Sequence, residues 1–312
     1  MWQVISGIFL GWSLGSNDAS NVFGTAVASH MVRFWTAAIL CAIFVVLGAL
    51  AHGQEGIETY RQMSPMTPNL AFIVSLAAGA TVTLMSYWKL PVSTSQAVVG
   101  ALVLVGALGN TLDVSSLTKV VLCWIGTPIG AALVTIILYY TLGKLVNRIG
   151  PSLFSHDRWL RIGLLVAGSY GAYALGANNV ANVTGAYVGP DMLTPFTACL
   201  IGSLAIAGGV LTYSRNVMMT VGKKLVQLDA FTAFVAILAE AITVHVYALV
   251  GVPVSTSQAI VGAVLGVGIL KGARTINRQT LVRILFGWTG TPLISAALTF
   301  AIYQIFSLTG NL

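Results

Sequence analysis

The hexapeptide Pro-Val-Ser-Thr-Ser-Gln occurs twice in this chain, at 91–96 and 253–258, each time inside a long apolar stretch. Near-identical text follows: AVVGALVLVGAL after the first copy and AIVGAVLGVGIL after the second. Two further strings recur in register with it. GSNDASNVFGTAV (Gly15–Val27) returns as GANNVANVTGAYV (Gly176–Val188), and CWIGTP (Cys123–Pro128) as GWTGTP (Gly287–Pro292). Matched landmarks in one order, 161 to 164 residues apart, mean an ancestral duplication. The chain therefore divides into repeat halves 1–150 and 151–312, with a polar, charge-bearing linker at 143–160.

The solvent of that duplicated fold is lipid. Only 7% of the 312 residues are charged and 57% are hydrophobic, against roughly 25% charged in a soluble domain. The apolar runs have helix-span length, and the alternation of a membrane β-barrel is absent. The expected fold is an all-α membrane protein with about five helical segments per half. These are 3–29, 34–52, 69–88, 92–109 and 119–142, then 161–189, 194–213, 230–250, 254–270 and 280–308. The first run has no basic leader and no small-residue cleavage site, so it reads as a retained span. No polar loop exceeds some fifteen residues, which leaves no room for a soluble domain.

An odd number of crossings per half turns the second half upside down relative to the first. Charge supports this. Twelve of the fifteen basic residues (Arg33, Lys144, Arg148, Arg158, Arg161, Arg215, Lys223, Lys224, Lys271, Arg274, Arg278 and Arg283) fall on one side. Arg61 and Lys119 fall on the other, and Lys89 sits at a hairpin tip. The positive-inside rule puts the linker 143–160 in the cytoplasm and both termini outside a cell (inner) membrane. The net charge of +7 is thus an orientation signal, and nucleic acid is not an expected partner.

Each PVSTSQ string reads as a helix N-terminus at membrane depth, with Pro and hydroxyl residues starting the helix. Its free N–H groups and positive dipole end suit an anion without a charged side chain. Irregular backbone there cannot face lipid, so the third and fourth segments of each half read as helical hairpins pointing at one another. Gly15–Asn21 lies mid-span, and an interrupted helix there would free carbonyls to join Asn17, Asp18 and Asn21 in an all-oxygen cation site. Asn178, Asn179 and Asn182 repeat the amides without the carboxylate. The alternative use of these amides is hydrogen bonding between helices. Glu240 breaks the symmetry, because its counterpart is Ala78; it is a candidate coupling residue for a further cation or a proton. His245, five residues on, is read as an interhelical donor or a relay. Cys41, Cys123 and Cys199 read as packing residues, and Trp124 and Trp288, beside G-T-P kinks, as repeat-interface residues.

Paired G-x-N-D-x-x-N-like motifs, one opening each half, with a P-V-S-T-S hairpin in each, resemble the inorganic phosphate transporter (PiT) family over essentially the whole chain. The resemblance implies a cation-coupled phosphate symporter, Na⁺-driven or in some members H⁺-driven, with external termini and a homodimeric assembly. Carried over, Asn17, Asp18, Asn21, Asn178, Asn179 and Asn182 would serve cations, with Na⁺ at Asp18, Asn21, Asn178 and Asn182. Ser93, Thr94, Ser95 and Gln96, with Ser255, Thr256, Ser257 and Gln258, would hold the anion. Two departures stand out: Asn179 where the family usually has Asp, and Gln96 and Gln258 where many members have His or Thr. The missing carboxylate bears on cation stoichiometry and on phosphate against sulfate, since sulfate related permeases share the fold. Of the hydrolase signatures, H-E-x-x-H is absent, and the G-x-S-x-G spelling at Gly11–Gly15 (GWSLG) lies within an apolar run rather than on a strand-to-helix elbow. An anion channel would not need the amide motifs. The chain is expected to be no enzyme and to need no cofactor beyond a coupling ion.

Overall fold

The structure is a computed structural model, described for residues 1–63, 65–88, 92–149, 153–221, 228–272 and 278–310. Lys89, Pro91, Lys223, Lys224 and Arg274 lie outside the described residues. The first half comprises α1 (Val4–Ala28), α2 (Phe34–His52), α3 (Gln54–Met63), α4 (Pro68–Tyr87), α5 (Thr94–Leu108) and α6 (Val114–Ile149). The second comprises α7 (Leu153–Thr184), a 3₁₀ turn (Gly185–Tyr187), α8 (Pro195–Val221), α9 (Ala230–Leu249), α10 (Thr256–Lys271) and α11 (Arg278–Leu308). Among the described residues there is no strand, and α2, α4, α6, α7, α8, α9 and α11 are long and apolar enough to cross a membrane. α5 and α10 are apolar but shorter, as hairpin arms that begin at membrane depth must be.

Packing follows the duplication. α1 lies along α8, its most extensive contact, and α2 lies along α7. The last helix of each half crosses over: α6 packs on α10 and α9, while α11 packs on α5 and α4. Missing side chains at matched positions let these helices meet. A Cβ on Gly15 would lie 1.9 Å from the Ile206 carbonyl oxygen, and one on its counterpart Gly176 would lie 2.0 Å from that of Val45. A Cβ on Gly100 would likewise lie 2.4 Å from Pro292 O, and one on Gly262 would lie 2.2 Å from Pro128 O. Glycine costs a helix about 1 kcal/mol relative to alanine, so this paired expense marks backbone contacts the fold requires. The halves are related by a pseudo-twofold.

Two expectations need correction. α1 runs unbroken from Val4 to Ala28, and α7 continues through its motif to Thr184, where the 3₁₀ turn follows. No carbonyls are freed inside Gly15–Asn21. The reason is local: Ser16 and Ser20 bond back to the carbonyls of Ser13 and Asn17, and the amides find partners on other helices. Polar residues mid-helix thus satisfy themselves without opening the helix. The second correction is α3. The longest polar loop is a helix, burying Gly56, Ile57, Tyr60 and Met63 on one face.

Candidate functional site

The hairpin tips are built alike. Ser93 and Ser255 take extended backbone and cap α5 and α10, their Oγ atoms accepting from the N–H of Gln96 (3.4 Å) and Gln258 (3.2 Å). Such caps stabilise a helix start by about 1 kcal/mol. The third hydroxyl of each tip reaches across the pseudo-twofold. Ser95 Oγ donates to Val254 O at 2.9 Å, and Ser257 Oγ donates to Val92 O at 2.8 Å. The two tips are therefore locked face to face by reciprocal bonds.

Between them lies Asp18, 1% exposed. Thr94 Oγ1 and Thr256 Oγ1, one from each tip, donate to the same oxygen, Asp18 Oδ2, at 3.5 and 3.3 Å. Asn17 Nδ2 donates to Oδ1 at 2.7 Å and is itself held by Ser86, whose Oγ donates to Asn17 Oδ1. Asn21 Nδ2 donates to Thr256 Oγ1 (3.3 Å) and Ser257 Oγ (3.4 Å). Its counterpart Asn182 reaches Ser95 Oγ at 3.0 Å. Each amide motif thus grips the other half's hairpin.

The pseudo-symmetry fails where the sequence fails. Asn179 has no cation-attracting charge; its Oδ1 accepts from Asn182 at 2.6 Å, and its buried Nδ2 has no partner. Asn178 is consumed by the hairpin backbone, donating to Val254 O (2.8 Å) and accepting from Val254 N (3.0 Å). All fourteen candidate residues from the two motifs and two tips converge on this junction. Their roles divide: Ser93 and Ser255 cap, Ser95 and Ser257 lock, Thr94 and Thr256 hold the carboxylate. Gln96 and Gln258 are buried, each with an unpartnered Oε1.

Glu240 and His245 do not work as a pair. Glu240 is fully buried beside Gly171 of α7, while His245 bonds Tyr170 OH (2.8 Å) and His52 Nδ1 (3.3 Å). Two residues were not legible from the duplication. Tyr60 of α3 donates its hydroxyl to Asn182 Oδ1, and Ser86 holds Asn17. The amphipathic spacing of Ile57, Tyr60 and Met63 was the available signal for the first.

Interlocked pseudo-twofold halves whose helix N-termini meet over one buried carboxylate define a membrane transporter of the inverted-repeat class. Comparison with known proteins agrees. The phosphate transporter family matches residues 14–162 and again 153–299. A Methanocaldococcus jannaschii protein, provisionally named a phosphate permease, is 29% identical over 97% of this chain and 96% of its own. The sulfate permease CysP of Bacillus subtilis is 28% identical over 97% and 87%. A solved structure of a sodium-dependent phosphate transporter shares the fold at a TM-score of 0.86, with 22% identity and 98% of each chain covered. The chain belongs to the phosphate transporter family, whose members are permeases rather than enzymes.

Proposed function

We propose that this chain imports inorganic phosphate by cation symport, the anion binding between the two hairpin tips. One observation carries the reading: a single buried carboxylate, Asp18, is held jointly by Thr94 and Thr256 from opposite tips. Two helix N-termini supply the attraction for the anion. Asp18, with Asn17 and Asn21, supplies oxygen ligands for the cation, so cation and anion neutralise each other where neither could be buried alone. The fold shared with a sodium-dependent phosphate transporter supports Na⁺ as the coupling cation, and the buried Asp18 carboxylate supplies the charge to hold it. Asn178 and Asn182 complete the second, uncharged side of the site.

Phosphate is favoured over sulfate by its proton. Hydrogen phosphate carries an O–H donor near neutral pH and sulfate has none, and the site holds unpartnered buried acceptors at Gln96 Oε1 and Gln258 Oε1. The second reading, a sulfate permease, rests on Asn179 in place of a carboxylate and on the likeness to CysP. In either case the chain crosses the cell membrane with termini outside and 143–160 in the cytoplasm, by its basic residues. A homodimer follows from the family resemblance. Labelled phosphate uptake into proteoliposomes under an inward Na⁺ gradient tests the assignment. Uptake that a hundredfold excess of sulfate leaves intact supports phosphate; full competition at equimolar sulfate reverses the order.

A further inference from the structure

Glu240 takes no part in the junction described above, yet with Asp18 it is one of the two buried carboxylates among the described residues. It is 0% exposed, and neither Oε1 nor Oε2 has a hydrogen-bond partner. An ionised carboxylate so placed would cost several kcal/mol even after relaxation. Something must neutralise it.

Its surroundings identify what. Gly171 of α7 faces it, bare: a Cβ there would lie 2.9 Å from Val22 Cγ1 and 3.3 Å from Glu240 Oε2. Val22 is one helical turn beyond Asp18 on the same face of α1, and the two carboxylates are within electrostatic reach of each other. Cys41 of α2 is a further titratable group in electrostatic reach. α6 passes with Gly130 beside Thr243 and Gly143 beside Phe231, and before Tyr139 that stretch holds no titratable group. α10 carries only Lys271, at its far end, and α3 meets α9 past its C-terminus, at Gly251. On α9 itself, His245 lies five residues on, about 140° around the helix, engaged with Tyr170 and His52.

Na⁺ would need several oxygens in its shell, and Glu240 Oε2 faces Gly171 and the methyl groups of Val22. Among the described residues no three His, Cys, Asp or Glu side chains gather as a metal site. A proton needs one oxygen only. We propose that Glu240 is the proton-binding residue of this transporter, so that each anion enters with a proton on Glu240 as well as a cation at Asp18. The step is a simple transfer: an O–H bond forms on Glu240 from external water and breaks to internal water after the anion has left. The anion couples them, because its negative charge favours a proton on Glu240 and a cation at Asp18 alike. This restores the positive charge that Asn179 cannot help to bind.

The inference rests on the proposed oxyanion symport, and the test separates the two. In proteoliposomes, radiolabelled phosphate is followed as exchange without gradients, then as accumulation under an inward pH gradient of one unit. Wild type should exchange, and the gradient should raise accumulation up to about tenfold for one coupled proton. Glu240→Gln should keep exchange and lose that gain, while Glu240→Asp should keep it with a shifted pH profile. No wild-type exchange of phosphate or sulfate would defeat the symport reading itself. Wild-type exchange with an unchanged pH response in Glu240→Gln would overturn the proton role alone. So would a Glu240→Gln variant that loses Na⁺ dependence but keeps the pH gain, or a folded one that loses exchange altogether.

Discussion

Asp18 and Asn179 occupy the same place in the two halves and differ by one oxygen-for-nitrogen exchange. Asp18 collects three donors, whereas Asn179 accepts one and leaves its own N–H groups orphaned in the interior. A buried unsatisfied donor costs roughly 1–3 kcal/mol, and a neutral amide attracts Na⁺ far less than a carboxylate. Cation dependence should therefore live on the Asp18 side. Asp18→Asn should remove Na⁺-driven uptake, read as loss of the response to a Na⁺ gradient. Asn179→Asp keeps the acceptor for Asn182, removes the orphan and adds a charge. It should raise the Hill coefficient for Na⁺ and the charge moved per anion; identical stoichiometry would mean the asymmetry is silent. The residues of this site were legible because duplication printed them twice. Tyr60 and Ser86 were not, since neither recurs and each reaches the site from a helix distant in sequence.

At the scale of elements, the hairpin arms are held by glycine. α5 meets α11 where Gly100 faces the Pro292 carbonyl, and α10 meets α6 where Gly262 faces that of Pro128. Gly100→Ala would push a methyl group against backbone rather than a yielding side chain. It should destabilise the protein by about 1–3 kcal/mol, seen as a lowered melting temperature in detergent, and should weaken anion binding with it. Among the described residues the apolar segments read from the sequence map onto ten of the eleven helices, α2 residue for residue, but the ends of the long helices α6, α7 and α8 differ. α6 was expected over 119–142 and runs Val114–Ile149, since Lys144 and Arg148 are good helix formers that hydropathy discounts. The unbroken course of α1 was hidden for a different reason. Asn, Asp and Ser compete with the backbone for hydrogen bonds; Ser16 and Ser20 bond back within α1, while Asp18 and Asn21 are satisfied by the hairpins, which are absent from any local reading.

The whole molecule is two copies of one plan, crossed. Because α6 and α11 each pack on the other half's hairpin, moving one tip relative to its partner must carry a helix of both halves. The reciprocal bonds of Ser95 to Val254 and Ser257 to Val92 hold the tips at one separation, and alternating access requires that they part on one side at a time. Phosphate titrated into purified protein in Na⁺ buffer, wild type beside Thr94→Val/Thr256→Val, asks whether the tips are the binding site. Each hydroxyl bonded to a charged group contributes about 1.5–3 kcal/mol, so the double variant, folded but with a lowered melting temperature because Asp18 loses two donors, should bind at least about a hundredfold more weakly. Equal affinity in the two proteins would contradict an anion site between the tips.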